Sequence, residues 1–205
     1  MNCTLLCDGS SDRMLIPCIK WLLVENYPNL PFNFEYADIR QITNKSHKSL
    51  ASKICLALEY YPCDILFIQR DTEKESYEKR LKEIKTSISK ADCELPKIIP
   101  VIPKKMSEAW LLINELAVRV AAGNMNGKVK LKLPSIKKLE SLADPKENLK
   151  TLLKEASELN KRRLKNFNSH FAIHWLAEII DDYSKLRQLS AFQSLESEIK
   201  KLKLK

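Results

Sequence analysis

Acidic side chains stand where short apolar runs stop. Asp8 follows NCTLLC at 2–7, with Asp12 four residues further on; Asp71 and Glu73 follow DILFIQ at 64–69; Glu108 comes six residues after KIIPVI at 97–102. Carboxylates gathered in one place repel one another unless a cation neutralises them. Hard oxygen ligands of this kind suit Mg2+ or Mn2+. A cation so held lowers the pKa of a bound water and steadies charge developing on a phosphoryl group. Residues i and i+2 of an extended segment point the same way, so Asp71-Thr72-Glu73 predicts two carboxylates on one side. A plainer account of the same residues is a turn with an N-cap at DGSSD and a solvated loop at RDTEKE.

Basic residues are unevenly placed around these acids. Residues 1–103 hold 14 basic and 14 acidic side chains, and residues 104–205 hold 21 and 12, so the whole net charge of +9 lies in the second half. Such a half suggests a polyanion, nucleic acid or anionic lipid; a solvated Lys-rich helical surface is the other reading. Arg70, Lys104 and Lys105 lie close in sequence to the carboxylates and are candidate phosphate contacts, with an ion-pair partner for Asp71 and solvated lysines as the other readings. The densest cluster is Lys161, Arg162, Arg163 and Lys165, beside Asn166-Phe167-Asn168. There arginine can grip phosphate bidentately and Phe167 can stack on a base.

Some chemistries are set aside. His170 and His174 have i,i+4 spacing, but SHFAIHW lacks the glutamate of a zinc-protease helix, so an ordinary packed or surface pair is expected. With glycine only at 9, 123 and 127, there is no Gly-rich phosphate loop, and any ATPase must be a partner. The six cysteines show no CxxC pair and several sit in apolar runs, which predicts a reduced, cytoplasmic protein without structural zinc. The start MNCTLLCDGSSDR lacks a basic leader region, and no apolar stretch nears the roughly 18–20 residues of a membrane span.

The elements that must position the acids alternate. Strands are expected at 2–7, 32–39, 64–69 and 97–102, and helices at 12–27, 46–61, 77–90 and 107–121. Ser10 or Ser11 is expected to cap the first helix, Ser107 to cap the fourth, and Trp110 to be core. DILFIQ carries an unbroken apolar stretch, ILFI, as in a strand buried on both faces, whereas Pro100 argues against a central place for the fourth strand or else marks a bulge or its end. Such β-α alternation predicts an α/β layer with a mainly parallel sheet and right-handed crossovers. Ligands bind such sheets at the carboxyl ends of the strands, near the point where strand order reverses. After the turn cluster at 123–127 only helical patterns remain, at about 135–143, 145–159, 168–188 and 190–203. The expected plan is a core over 1–122 with a basic helical extension over 123–205 packed on it.

LLCDGSSDRMLIPCIKWLL and DILFIQRDTEKE together resemble the TOPRIM fold of topoisomerases, primases and OLD-type nucleases. PKKMSEAWLLINELAVRVAAGN, LPSIKKLESLADPKENLKTLLKEAS and KLRQLSAF resemble, more narrowly, a bacterial TOPRIM-like family of unknown function. Its members are often encoded beside ATPases in phage-defence loci. The resemblance implies a TOPRIM-like, Rossmann-like core and Mg2+- or Mn2+-dependent nuclease activity on DNA or RNA. It also implies a partner ATPase of the AAA or ABC type, and leaves self-association open. On it, Asp8 takes the place of a general acid/base glutamate, Asp71 and Glu73 are metal ligands with Asp8 and Asp12, and Glu108 joins the catalytic set. Two departures stand out: Asp8 is one methylene shorter than the family's Glu, and Asp71-Thr72-Glu73 replaces Asp-x-Asp. The alternative implied by them is a catalytically weak module that binds nucleic acid or docks on an ATPase.

Overall fold

The computed structural model describes residues 1–7, 9–42 and 49–204. The first half reads β1 (Asn2–Leu6), α1 (Leu15–Asn26), β2 (Asn33–Tyr36), α2 (Ile39–Ile42), α3 (Leu50–Tyr60), β3 (Ile65–Gln69), α4 (Tyr77–Ser89) and β4 (Lys97–Val101). Then come α5 (Glu115–Ala121), α6 (Pro145–Ser157), α7 (Lys161–Leu164), α8 (Ser169–Ile179) and α9 (Ser190–Lys200). The four strands are all parallel, in the order β2-β1-β3-β4. Helices flank both faces, a Rossmann-like α/β arrangement.

Burial explains this order. β3 is buried along its whole length. Its Ile65 and Phe67 enter one apolar cluster, Leu66 and Ile68 the other. A strand covered on both faces needs no polar alternation. The smaller cluster is closed by Ile54 and Ala57 of α3 and Ile84 of α4. The larger joins α1 to Leu149, Leu153, Leu176 and Phe192 from the second half, so the helical extension shares the main core of the sheet. Trp110 is buried as expected and meets Phe192 edge-on, ring centroids 5.4 Å apart. Pro100 lies opposite Ile68 on β4, an edge strand, where the missing N–H is tolerated.

Several expectations are corrected. The expected first helix is two elements, a 3-10 turn at Ser10–Met14 and then α1, whose N-cap position is Met14 rather than a serine. Pro17 falls in the first turn of α1, where its missing N–H costs no intrahelical bond. The expected helix over 107–121 also splits, into a 3-10 turn at Ser107–Leu111 and α5. Asn114 makes the break, its side chain accepting from Ala117 N at 3.1 Å to start α5. The helical pattern at 135–143 is realised as a 3-10 turn at Ile136–Ser141, and that at 168–188 as α8 followed by a 3-10 turn at Ser184–Gln188. Cys55 and Cys93 form a disulfide across Cα atoms 5.6 Å apart, which overturns the fully reduced expectation; Cys3, Cys7, Cys18 and Cys63 are free. No helix among the described residues is long and apolar enough to cross a membrane.

Candidate active site

Parallel pairing puts the carboxyl ends of β1, β3 and β4 on one edge: Leu6 lies opposite Ile68, and Gln69 opposite Val101. The chain crosses from β1 to β2 on one side and on to β3 on the other, so strand order reverses between β1 and β3. Ligands of open α/β sheets bind at that point.

Beyond the strand ends the backbone stays paired. Arg70 N donates to Val101 O at 3.0 Å, Thr72 N to Pro103 O at 3.1 Å, and Glu73 N to Lys105 O at 3.1 Å. Lys105 N donates in return to Thr72 Oγ1 at 2.7 Å. This zipper carries Asp71 and the Ser107–Leu111 turn up side by side. Ser107 Oγ donates to Asp71 Oδ1 at 2.9 Å, and Gln69 Nε2 donates to the same oxygen at 2.9 Å and to Ser107 Oγ at 3.1 Å. Ser107 is therefore not the helix cap its sequence suggests; its hydroxyl is spent on a carboxyl group. Asp12, on the turn after β1, also meets the Ser107 side chain and feels the charge of Glu108. Glu108 is 3% exposed and takes an ion pair from Lys146 of α6, Nζ to Oε1 at 3.3 Å.

Three acids from three segments thus share one buried neighbourhood. Burial is the main reason Asp12 is raised from the ordinary 3.8 to about 6, with the charge of Glu108 adding and the Ser107 hydroxyl and Lys146 opposing. Asp71 is raised to about 7, again chiefly by burial, then by Asp12 and Glu108, against the Ser107 and Gln69 hydrogen bonds. Two carboxyls titrating near neutrality make a proton-exchanging pair, suited to general acid and base work. The half-buried Cys7 thiol beside them is pushed well up by desolvation and by both aspartates, so it is no ready nucleophile.

The other expected residues fall elsewhere. Asp8 lies outside the described residues. Glu73 does not share a side with Asp71: it adopts the left-handed conformation (φ 51°), which breaks the extended spacing and leaves its side chain 63% exposed, 4.0 Å from Arg80. Arg70 pairs with Glu83 of α4 at 2.8 Å. Lys104 pairs with Glu140 at 3.0 Å, where Glu140 also accepts from Ala191 N, so this lysine ties the extension to the core. Lys105 is half-buried and itself left-handed (φ 63°). Lys161, Arg162, Arg163 and Lys165 are exposed on and just after α7, and form no salt bridge among the described residues. Phe167 packs against the main core, which removes it as a stacking ring.

Sequence reasoning missed Gln69 and Lys146. Gln69 left a trace, as the one polar residue of β3, buried to 3%. Lys146 left none, because α6 meets the Ser107–Leu111 turn only through tertiary contact. As they stand, no three His, Cys, Asp or Glu side chains among the described residues are placed to hold a metal ion. The donor chemistry of Asp12, Asp71 and Glu108 nonetheless fits a hard divalent cation, since burial leaves them short of positive charge with Lys146 as their nearby counter-ion. Comparison with protein-family models, with curated proteins and with solved structures found no match to this chain.

Proposed function

We propose that the protein is a metal-dependent phosphodiesterase of TOPRIM-like kind that hydrolyses nucleic acid. The observation carrying this reading is the convergence of Asp12, Asp71 and Glu108 around Ser107 where the strand order reverses. Asp12 and Asp71, with Glu108, would hold Mg2+ or Mn2+. When bound, the ion supplies charge neutralisation at the phosphoryl group and a more acidic water. The chain supplies the rest. Ser107 and Gln69 hold one oxygen of Asp71 and leave the other for the ion. Lys146 balances Glu108 and keeps the acids together. The exposed basic residues of α7 attract the polyanion. In the setting the resemblance implies, a separate ATPase chain acts with it in phage defence.

The outward turn of Glu73 favours a second reading, a catalytically weak module that binds nucleic acid or docks on the ATPase. Cleavage of single- and double-stranded DNA and RNA with Mg2+ or Mn2+, compared between wild type and Asp71→Ala, separates the two. Equal cleavage by both proteins rejects the site; metal-dependent cleavage lost in the variant rejects the binding-only reading.

A further inference from the structure

We propose that the cleft between α8 and the Ser10–Met14 turn is a stacking subsite for an unpaired base of single-stranded nucleic acid. The cleft holds about 430 Å³ and is bordered by Arg13, Tyr36, His170, Phe171, His174 and Trp175. That lies at the small end of ligand sites, roughly 300–1,000 Å³. It suits one nucleotide rather than a duplex.

Three observations carry the assignment. First, Phe171 and Trp175 are 65% and 48% exposed and sit one helical turn apart, so both rings lie on one face of α8. By contrast, Trp110 is 1% exposed. Aromatic faces left open in this way are what unpaired bases stack on. Secondly, the same wall carries an exposed cation, Arg13. The rings of His170 and His174 are 4.6 Å apart, and Arg13 forms no salt bridge among the described residues. Burial first, and then His170 and Arg13, hold His174 below its ordinary proton affinity. Asp38 and Glu178 also border the cleft, and carboxylates can accept from the amino groups of a base.

Thirdly, the cleft adjoins the carboxylates. Arg13 is the residue after Asp12, and the Tyr36 hydroxyl donates to Gly9 O at 3.1 Å on the same turn. At its other end α8 follows directly from the basic residues 161–165. A single strand can thus run from α7, past the aromatic wall, to the acids. The direction of that path rests on the phosphodiesterase reading; the stacking does not.

The test uses the full chain in EDTA, with a labelled oligo-dT, an oligo-U and a duplex of equal length, followed by anisotropy and tryptophan quenching. The single strands should bind more tightly than the duplex and quench tryptophan. F171A/W175A should weaken that binding about tenfold or more, with W175F restoring most of it. R13A should lower the salt dependence by about one phosphate contact. Unchanged affinity in F171A/W175A, equal affinity for duplex without quenching, or no oligonucleotide binding each overturns the subsite. Loss of binding in F171A/W175A, in a protein that cleaves nothing with Mg2+, keeps the subsite and rejects the phosphodiesterase reading. Cleavage and binding that both survive F171A/W175A do the reverse.

Discussion

Asp12 and Arg13 are neighbours on one 3-10 turn and serve opposite environments. Asp12 is 8% exposed and joins Asp71 and Glu108 in a buried acidic cluster, whereas Arg13 is exposed and borders an open cleft with histidines and aromatic rings. In the first region charge is withdrawn from water and proton affinity rises; in the second, aromatic faces and one arginine stay at the surface. Burial sets the difference. A desolvated carboxylate is costly unless a proton or cation joins it, while an exposed cation beside an aromatic wall is free to meet a polyanion. One short turn thereby separates a buried acidic cluster from an open aromatic cleft.

If the two regions divide the work in this way, substitutions should separate them. The largest effect is expected from D71N: metal-dependent cleavage should fall on the order of 10²-fold or more, measured as turnover of the best substrate. Oligonucleotide affinity in EDTA should not change. Loss of both together would mean that the cluster and the cleft are one site.

Next in size is the pH response. Asp12 and Asp71 bind protons more tightly in the folded chain, so between about pH 4 and pH 7 the folded state holds more protons than the unfolded one. Stability should therefore be fullest near pH 4 as far as these two groups are concerned, and fall as pH rises to about 7. D71N should flatten that decline and stabilise the protein at pH 8 by about 1–2 kcal/mol, as a functional group traded for stability does. Thermal midpoints across the range check this; a midpoint unmoved by D71N at pH 8 would show that its charge is not strained by burial.

Replacing Lys146 by Met should act in the opposite direction. It leaves Glu108, 3% exposed, without that ion pair, at a cost of about 1–2 kcal/mol, moderated because the lysine is 40% exposed. Urea unfolding reports it, and a neutral result would mean that the ion pair adds nothing to stability. S107A removes the hydroxyl that holds Asp71 and should move the acid limb of the pH–rate profile upward, with a loss of about tenfold below that limb. The smallest effect belongs to E73Q, which should change cleavage less than about twofold because Glu73 faces solvent. A loss as large as that of D71N would bring Glu73 back into the site.

Much of this architecture was readable in the chain. The apolar stretch within 64–69 announces a strand buried on both faces, Pro100 argues against a central place for the fourth strand, which is an edge, and the acids after 69 and 102 announce where the strand ends gather. Local backbone geometry was less readable. The Asp-x-Glu spacing predicts a shared side only if the segment stays extended, and the left-handed Glu73, bonded to the left-handed Lys105, defeats it. Asp8 lies outside the described residues, so its expected part beside these acids is a matter for mutagenesis.

The sequence by itself determined the alternating elements, the acidic strand ends and the concentration of positive charge beyond residue 103, because these follow from local hydrophobic period and composition. Only tertiary structure decided which polar groups meet. Ser107 reaches Gln69 and Asp71 through pairing of β3 with β4, and Lys146 reaches Glu108 because α6 packs on the turn after β4. The histidine pair, expected to be unremarkable, borders a cleft because α8 lies against the turn after β1. Such meetings join residues far apart in the chain, and no local period encodes them; burial of the shared core brings them together.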